Sequence, residues 1–231
     1  MNEDIRPISI PGIHDKFVSF FVNMIGKDKN MKVLDAGAGQ GALTKRLHEE
    51  GFNVSACDLF PERFKYNKAE FKKADLTKSL PYDDNSFDVI VAVEVLEHLI
   101  DHEIFFIECN RILKENGKLI ISSPNILSLK SRFRFLVSGF FYSFKPLDVN
   151  NNHGLQHVSS LTFDQYRYIA RKNGFTVDTV RLDKYQSTSK YLLWLWPFLY
   201  LFTRIMRIDF RIHNDIKLML GRILFIAFRK D

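Results

Sequence analysis

Val33-Leu34-Asp35-Ala36-Gly37-Ala38-Gly39-Gln40-Gly41 decides the reading of this chain. An apolar run ends at a carboxylate, glycine recurs at every second position, and a helical pattern opens near Ala42. The glycines permit positive φ and let a ligand lie against the backbone with no Cβ in the way. The start of the following helix presents N–H groups that lack helical partners. The stretch therefore predicts a strand–loop–helix unit suited to a nucleotide-like cofactor. Dehydrogenases also carry a glycine loop, spaced G-x-G-x-x-G. The spacing here is G-x-G-x-G, which argues against a nicotinamide-dependent oxidoreductase.

Outward from this loop, short apolar runs alternate with helical patterns. Strands are expected at 32–35, 53–58, 87–93, 118–122, 176–182 and 223–228, with another short strand before Ala74. Helices are expected at 41–50, 103–113 and 163–172, with stops at Gly51, Gly117 and Gly174. Such alternation predicts an α/β chain whose mostly parallel sheet is covered by helices on both faces, giving three α/β/α layers. Ligands in these sheets bind beyond the C-terminal strand ends, where the strand order switches. Residues 1–231 are read as one domain with aromatic-rich insertions near 126–146 and 188–208. No internal repeat or low-complexity linker interrupts it.

With 46% hydrophobic and 26% charged residues, the chain can bury a full core. Cys57 and Cys109 are far apart in apolar surroundings, the pattern of buried thiols in a reducing compartment. Residues 1–6 are polar and no apolar stretch follows, so no secretory leader is expected. The expected location is the cytoplasm, at the inner face of a membrane. The net charge of +6 permits attraction to anionic surfaces without identifying one.

Three further carboxylates close strand-like runs. Ala56-Cys57-Asp58-Leu59 ends the second strand, where an acid can accept both hydroxyls of a ribose. In Ala74-Asp75-Leu76 an acid can accept an adenine amino group while Leu76 covers the ring. Phe87 to Val93 runs apolar into Glu94. Together these residues resemble the class I S-adenosylmethionine-dependent methyltransferases, whose Rossmann-like sheet has an antiparallel last strand. The resemblance covers roughly 31–125, and 154–182 more loosely. It implies that Asp35, Ala36, Gly37, Gly39 and Gly41 surround the methionine part, with Asp35 reaching the amino group directly or through water. It also implies that Asp58 and Leu59 meet the ribose, that Asp75 and Leu76 meet the adenine, and that Val93 and Glu94 also bind the cofactor. Arg111 to Leu119 resembles the turn into the family's fifth strand.

Glu94-Val95-Leu96-Glu97-His98 is the second sharp motif. If helical, it places Glu94, Glu97 and His98 on one face. Two carboxylates and an imidazole can hold a divalent cation such as magnesium or manganese. His157, or His153, is the candidate fourth ligand from the loop after the fifth strand. The pattern resembles metal-dependent small-RNA 2′-O-methyltransferases and ubiquinone-biosynthesis O-methyltransferases. In these a cation lowers the pKa of the acceptor hydroxyl. Without a metal, His98, His153 or His157 is a candidate general base. The alternative for this motif is a local packing role. His48 and His102 are read as solvated helix-face residues, and His14 and His213 support no role.

Two aromatic segments exceed a minimal sheet, at 126–144 and 191–208. As one helix, 191–206 spans roughly 24 Å, less than the roughly 30 Å hydrocarbon core, and Pro197 interrupts it. The expectation is peripheral membrane contact, weighed against a hydrophobic cap or a dimer interface. The leading expectation is therefore O-methylation of a hydroxyl on a lipid-linked saccharide or other membrane-proximal small molecule. Ser122-Ser123-Pro124-Asn125, followed by the aromatic stretch, resembles methyltransferases of glycan assembly. The alternatives are a polyprenylated phenol or quinone, RNA, or a catalytically silent membrane-associated scaffold. Nucleic acid is not the expected partner, because the basic residues are interleaved with large aliphatics. The sequence leaves the oligomeric state open.

Overall fold

The alternating pattern folds as one sheet in the computed structural model, which describes residues 5–26, 28–151, 153–209 and 213–231. Its strands are β1 (Lys32–Ala36), β2 (Asn53–Asp58), β3 (Glu70–Lys73), β4 (Phe87–Ala92), β5 (Leu113–Pro124), β6 (Phe175–Leu182) and β7 (Ile223–Lys230). The sheet order is β3-β2-β1-β4-β5-β7-β6. The pairs β3–β2, β2–β1, β1–β4 and β4–β5 are parallel, whereas β7 runs antiparallel to both β5 and β6. The order reverses between β1 and β4, so the C-terminal ends of these two strands flank the crevice expected to take a ligand.

Helices cover both faces. On one, α1 (Ile13–Ile25) and α2 (Ala42–Glu49) pack Ile13, Phe17, Phe21, Leu43 and Leu47 onto Val33, Val54 and Phe225. The rings of Phe17 and Phe225 meet edge-on at 5.5 Å. On the other, α3 (Glu103–Ile112) and α5 (Phe163–Lys172) bury Phe105, Phe106 and Tyr166 against Leu34, Ile90 and Phe228. Cys57 and Cys109 are free, buried thiols. Helix α1 was not among the expected elements, although Ile13, Phe17, Phe20 and Phe21 follow a helical period.

The expected stop at Gly117 is corrected. Helix α3 ends at Ile112, and Asn116 adopts a positive φ of 60° inside the β4–β5 irregularity. In the first insertion, Ser128 caps α4 (Leu129–Ser138) by accepting the Ser131 N–H, and Gly139 closes it in the left-handed region. The second is not one helix. It divides into α6 (Ser187–Tyr191), a 3-10 turn over Leu192–Leu195, and α7 (Trp196–Ile205). Pro197 stands in the first turn of α7, where its missing N–H costs nothing.

Candidate active site

The glycine loop turns tightly over the β1 end. Gly37 and Ala38 both donate to the Cys57 carbonyl, at 2.8 and 3.0 Å, which ties the loop to β2. Gly37 has a φ of 82°, and a Cβ there would lie 2.5 Å from Val95 Cγ2, so only glycine fits. Asp58 fixes the loop from the next strand. Its carboxylate accepts the Gly39 N–H at 2.9 Å on one oxygen and the Phe60 N–H at 2.9 Å on the other.

A cavity of about 510 Å³ extends from this loop. Gly37, Gly39, Asp58, Leu59, Asp75 and Leu76 line it together with Val93, Glu94, Glu97, His98 and His157. That volume falls within the range of small-molecule sites. Asp75 accepts the Thr77 hydroxyl at 2.6 Å and the Thr77 N–H at 3.0 Å. The Thr77 hydroxyl holds its carboxyl below the usual range.

Three expected cofactor residues stand outside the lining. They are Asp35 and Ala36, at the end of β1, and Gly41, at the end of the loop. Asp35 is buried and its Oδ2 accepts the Thr44 hydroxyl at 2.6 Å, so it braces the start of α2 from below. Burial raises its pKa to about 7, with the Asp58 charge adding to the shift. Gly41 precedes α2 with a φ of 84°, and a Cβ there would strike Phe64 and Tyr66.

The helical face expected for Glu94, Glu97 and His98 does not form. Glu94 has a φ of 57°, and only Leu96–His98 makes a 3-10 turn. The cause is tertiary: Ser122 Oγ accepts the Glu94 N–H at 2.8 Å and donates to Glu94 Oε1 at 3.1 Å. Glu94 thus lines the cavity but stands outside the cluster, and burial raises its carboxyl to about 7.

Glu97, His98 and His157 do converge, with one ligand atom from each lying within 4.8 Å of the others. Two backbone bonds bring the distant histidine in: the Glu97 carbonyl accepts the N–H of Val158 at 2.8 Å and of Ser159 at 3.2 Å. The rings of His98 and His157 are 5.0 Å apart, and Phe144 packs edge-on against His157 at 5.5 Å. Glu97 is fully buried, and neither carboxylate oxygen has a hydrogen-bond partner. Burial, reinforced by Glu94, raises its pKa well above the ordinary value. Burial lowers His98, and lowers His157 to about 4, so both imidazoles are neutral at physiological pH.

Other histidines stand elsewhere. His153 is exposed, and its carbonyl accepts from Arg63 at 3.0 Å. His102 is buried and not solvated: it bonds the Leu96 carbonyl at 2.8 Å and packs on Tyr166. His48 is half-buried against Tyr66. His14, given no role from sequence, is buried and lines the cavity. Arg222 and Tyr142 line it as well, and no local sequence signal marks either. Of the serine-proline motif, only Pro124 reaches the cavity. Ser123 bonds Tyr166, and Asn125 bonds the carbonyls of Leu218 and Gly221.

A glycine loop over β1, a carboxylate closing β2 and an acidic turn after β3, on a sheet whose last strand is reversed, form the Rossmann-like fold of the class I S-adenosylmethionine-dependent methyltransferases. Residues 34–121 match the family model described as a methyltransferase domain. The mitochondrial ubiquinone biosynthesis O-methyltransferase of Homo sapiens is 30% identical over 206 residues, which cover 83% of this chain and 54% of that protein. Its counterpart in Pelagibacter ubique is 31% identical over 158 residues, covering 64% of this chain and 65% of that one. The chain thus spans about half to two thirds of the length of these curated relatives. Among solved structures, an S-adenosylmethionine-dependent methyltransferase from Archaeoglobus fulgidus superposes with a TM-score of 0.62 at 18% identity, covering 94% of each chain. One from Mesorhizobium loti gives 0.58 at 14% identity, covering 93% of this chain and 98% of that one. These two likenesses establish the fold.

Proposed function

We propose that this chain transfers the methyl group of S-adenosylmethionine to a hydroxyl oxygen of a small molecule, aided by a divalent cation such as magnesium or manganese. The observation that carries the reading is the Glu97–His98–His157 cluster, which faces the same cavity as the glycine loop and Asp58. The cofactor supplies an electrophilic methyl on a sulfonium. Around it, Gly37 and Gly39 would leave room for the methionine part, Asp58 has acceptor capacity left for ribose hydroxyls, and Asp75 and Leu76, in the same lining, are the residues proposed to meet the adenine.

The cluster fits a cation. A buried carboxylate with two unpartnered oxygens is costly alone and becomes favourable once a cation neutralises it. Two neutral imidazoles complete a mixed nitrogen and oxygen donor set suited to a borderline divalent ion. A cation there would lower the pKa of an acceptor hydroxyl. In its absence, His98 or His157, both in the cavity lining, is the candidate proton acceptor, although the burial that lowers each pKa makes it a weaker base than a free imidazole.

Two acceptors could offer the neighbouring hydroxyls that would chelate best: a saccharide on a polyprenyl carrier, and a polyprenylated phenol that bears a second, adjacent hydroxyl. The relatives named for ubiquinone biosynthesis support the phenol. The test incubates the protein with labelled S-adenosylmethionine, manganese and each acceptor in turn, and measures methylated product by mass spectrometry. Product from one acceptor class identifies it. If S-adenosylhomocysteine shows no binding in a calorimetric titration, the methyl-transfer reading fails altogether.

A further inference from the structure

Helices α4 and α7 each present an apolar stripe to solvent. Phe133, Leu136, Val137 and Phe140 follow one another at i, i+3, i+4 and i+7, running just past the end of α4. Phe198, Leu201, Phe202 and Ile205 repeat that spacing on α7. All eight are exposed, from Leu136 at 81% and Ile205 at 69% down to Phe140 at 36%. An amphipathic helix ordinarily turns such a stripe inward. Here both turn it outward, and exposed apolar surface on this scale marks a contact site.

The charge around the stripes indicates what they contact. The chain has 27 acidic residues, yet 126–147 and 184–208 contain none. Those two segments carry Lys130, Arg132, Arg134, Lys145, Lys184, Lys190, Arg204 and Arg207. Of these, Lys145, Lys184, Lys190, Arg204 and Arg207 are exposed. Two-fold pairing of this face with a second copy would set cations against cations. An anionic bilayer instead takes the apolar stripes among its acyl chains and the cations among its headgroups. Trp194 and Tyr191, 65% and 82% exposed, suit the boundary between the two. Among the described residues, no helix is long and apolar enough to cross a membrane.

Contacts tie the two segments to each other and to the cavity lining. Helix α4 packs against α6 and the Leu192–Leu195 turn, and the Lys130 N–H donates to Ser189 Oγ at 3.1 Å. Beyond α4, Phe141 stacks on Phe135 at 4.4 Å, the Tyr142 N–H donates to Ser131 Oγ at 3.0 Å, and Tyr142 and Ser143 line the cavity. We infer that α4 and α7 lie flat on an anionic phospholipid surface and deliver the acceptor to the cavity from the bilayer side. The lipid contact stands on the exposed stripes and the charge alone; the delivery rests on the methyl-transfer reading.

Flotation of the full chain with phosphatidylcholine vesicles, with and without about one third phosphatidylglycerol, tests this. The protein is expected to float with the anionic vesicles. Val137→Asp combined with Phe202→Asp is expected to weaken that partition about tenfold or more, since both changes put an anion at a solvent-facing position without touching the core. Affinity for S-adenosylhomocysteine should stay the same in the variant, which reports that it folds. No flotation of the wild type overturns the inference, as does equal flotation of the variant. So does a wild-type dimer in analytical ultracentrifugation that the variant abolishes, which would assign the face to a second copy. Flotation without S-adenosylhomocysteine binding would keep the lipid contact and sink the methyl-transfer reading; binding without flotation would do the reverse.

Discussion

His98 Nδ1 lies 2.9 Å from the carbonyl oxygen of Gln156. A carbonyl only accepts, so Nδ1 carries the proton and Nε2 keeps its lone pair for the cavity. A carbonyl behind a ligating imidazole fixes the tautomer and the ring orientation. His98→Ala should therefore lose manganese affinity by at least about 100-fold and keep S-adenosylhomocysteine affinity within about twofold. Paired calorimetric titrations check both. Unchanged manganese binding would remove His98 from the ligand set.

Cation binding should release protons. Burial and the neighbouring Glu94 raise Glu97, so the bare carboxyl holds its proton at a pH where an exposed glutamate has lost it. A cation must displace that proton, which makes affinity rise with pH. Manganese titrations in two buffers of different ionisation enthalpy should give different heats for the wild type. Glu97→Gln should bind manganese too weakly to measure. Buffer-independent heats in the wild type would contradict the assignment.

The sheet was legible because its signals are local. Short apolar runs, the G-x-G-x-G turn and the carboxylates Asp58 and Asp75 all lie within a few residues of the elements they mark. The cluster was only half legible. Glu-Val-Leu-Glu-His reads as a helical turn, and nothing within it shows that Ser122, 28 residues on, holds Glu94 in the left-handed region. His157 reaches Glu97 through backbone bonds that any residue but proline at 158 and 159 could make, so no side chain announces them. Asp35 looked like a ligand contact because strand-end acids often are. Thr44, one turn into α2, takes its carboxylate instead.

Asp58 should matter twice over. It holds the Gly39 and Phe60 amides, so it sets the loop as well as facing the cavity. Asp58→Ala leaves two amides without an acceptor and should cost about 2 kcal/mol, roughly a 30-fold loss in S-adenosylhomocysteine affinity. Gly39→Val acts differently. Its φ of 54° is strained for a branched side chain, and a Cβ would lie 3.3 Å from Ile8 Cδ1, on the segment over the loop. About 100-fold weaker binding is expected, and the backbone strain, about 1–2 kcal/mol, should also lower the unfolding midpoint of the ligand-free protein by a few degrees. Binding within threefold of wild type in both variants would show that the cofactor lies elsewhere.

Asp35 should make the ligand-free fold less stable as pH rises. Its folded pKa is about 7, against 3.8 for the ordinary carboxyl. Between these values the folded chain holds a proton that the unfolded chain has released. Stability from this group is therefore greatest below the unfolded value and is lost as pH climbs to about 7. Asp35→Asn keeps an acceptor for the Thr44 hydroxyl and removes the titration. Glu94, also raised to about 7, is present in both proteins and cancels in the difference. From about pH 5 to about pH 8 the wild type should lose roughly 2–3 kcal/mol relative to the variant, measured by urea unfolding at each pH. Parallel profiles would mean that the Asp35 carboxyl is ionised beneath the loop throughout, with water or a ligand group reaching it.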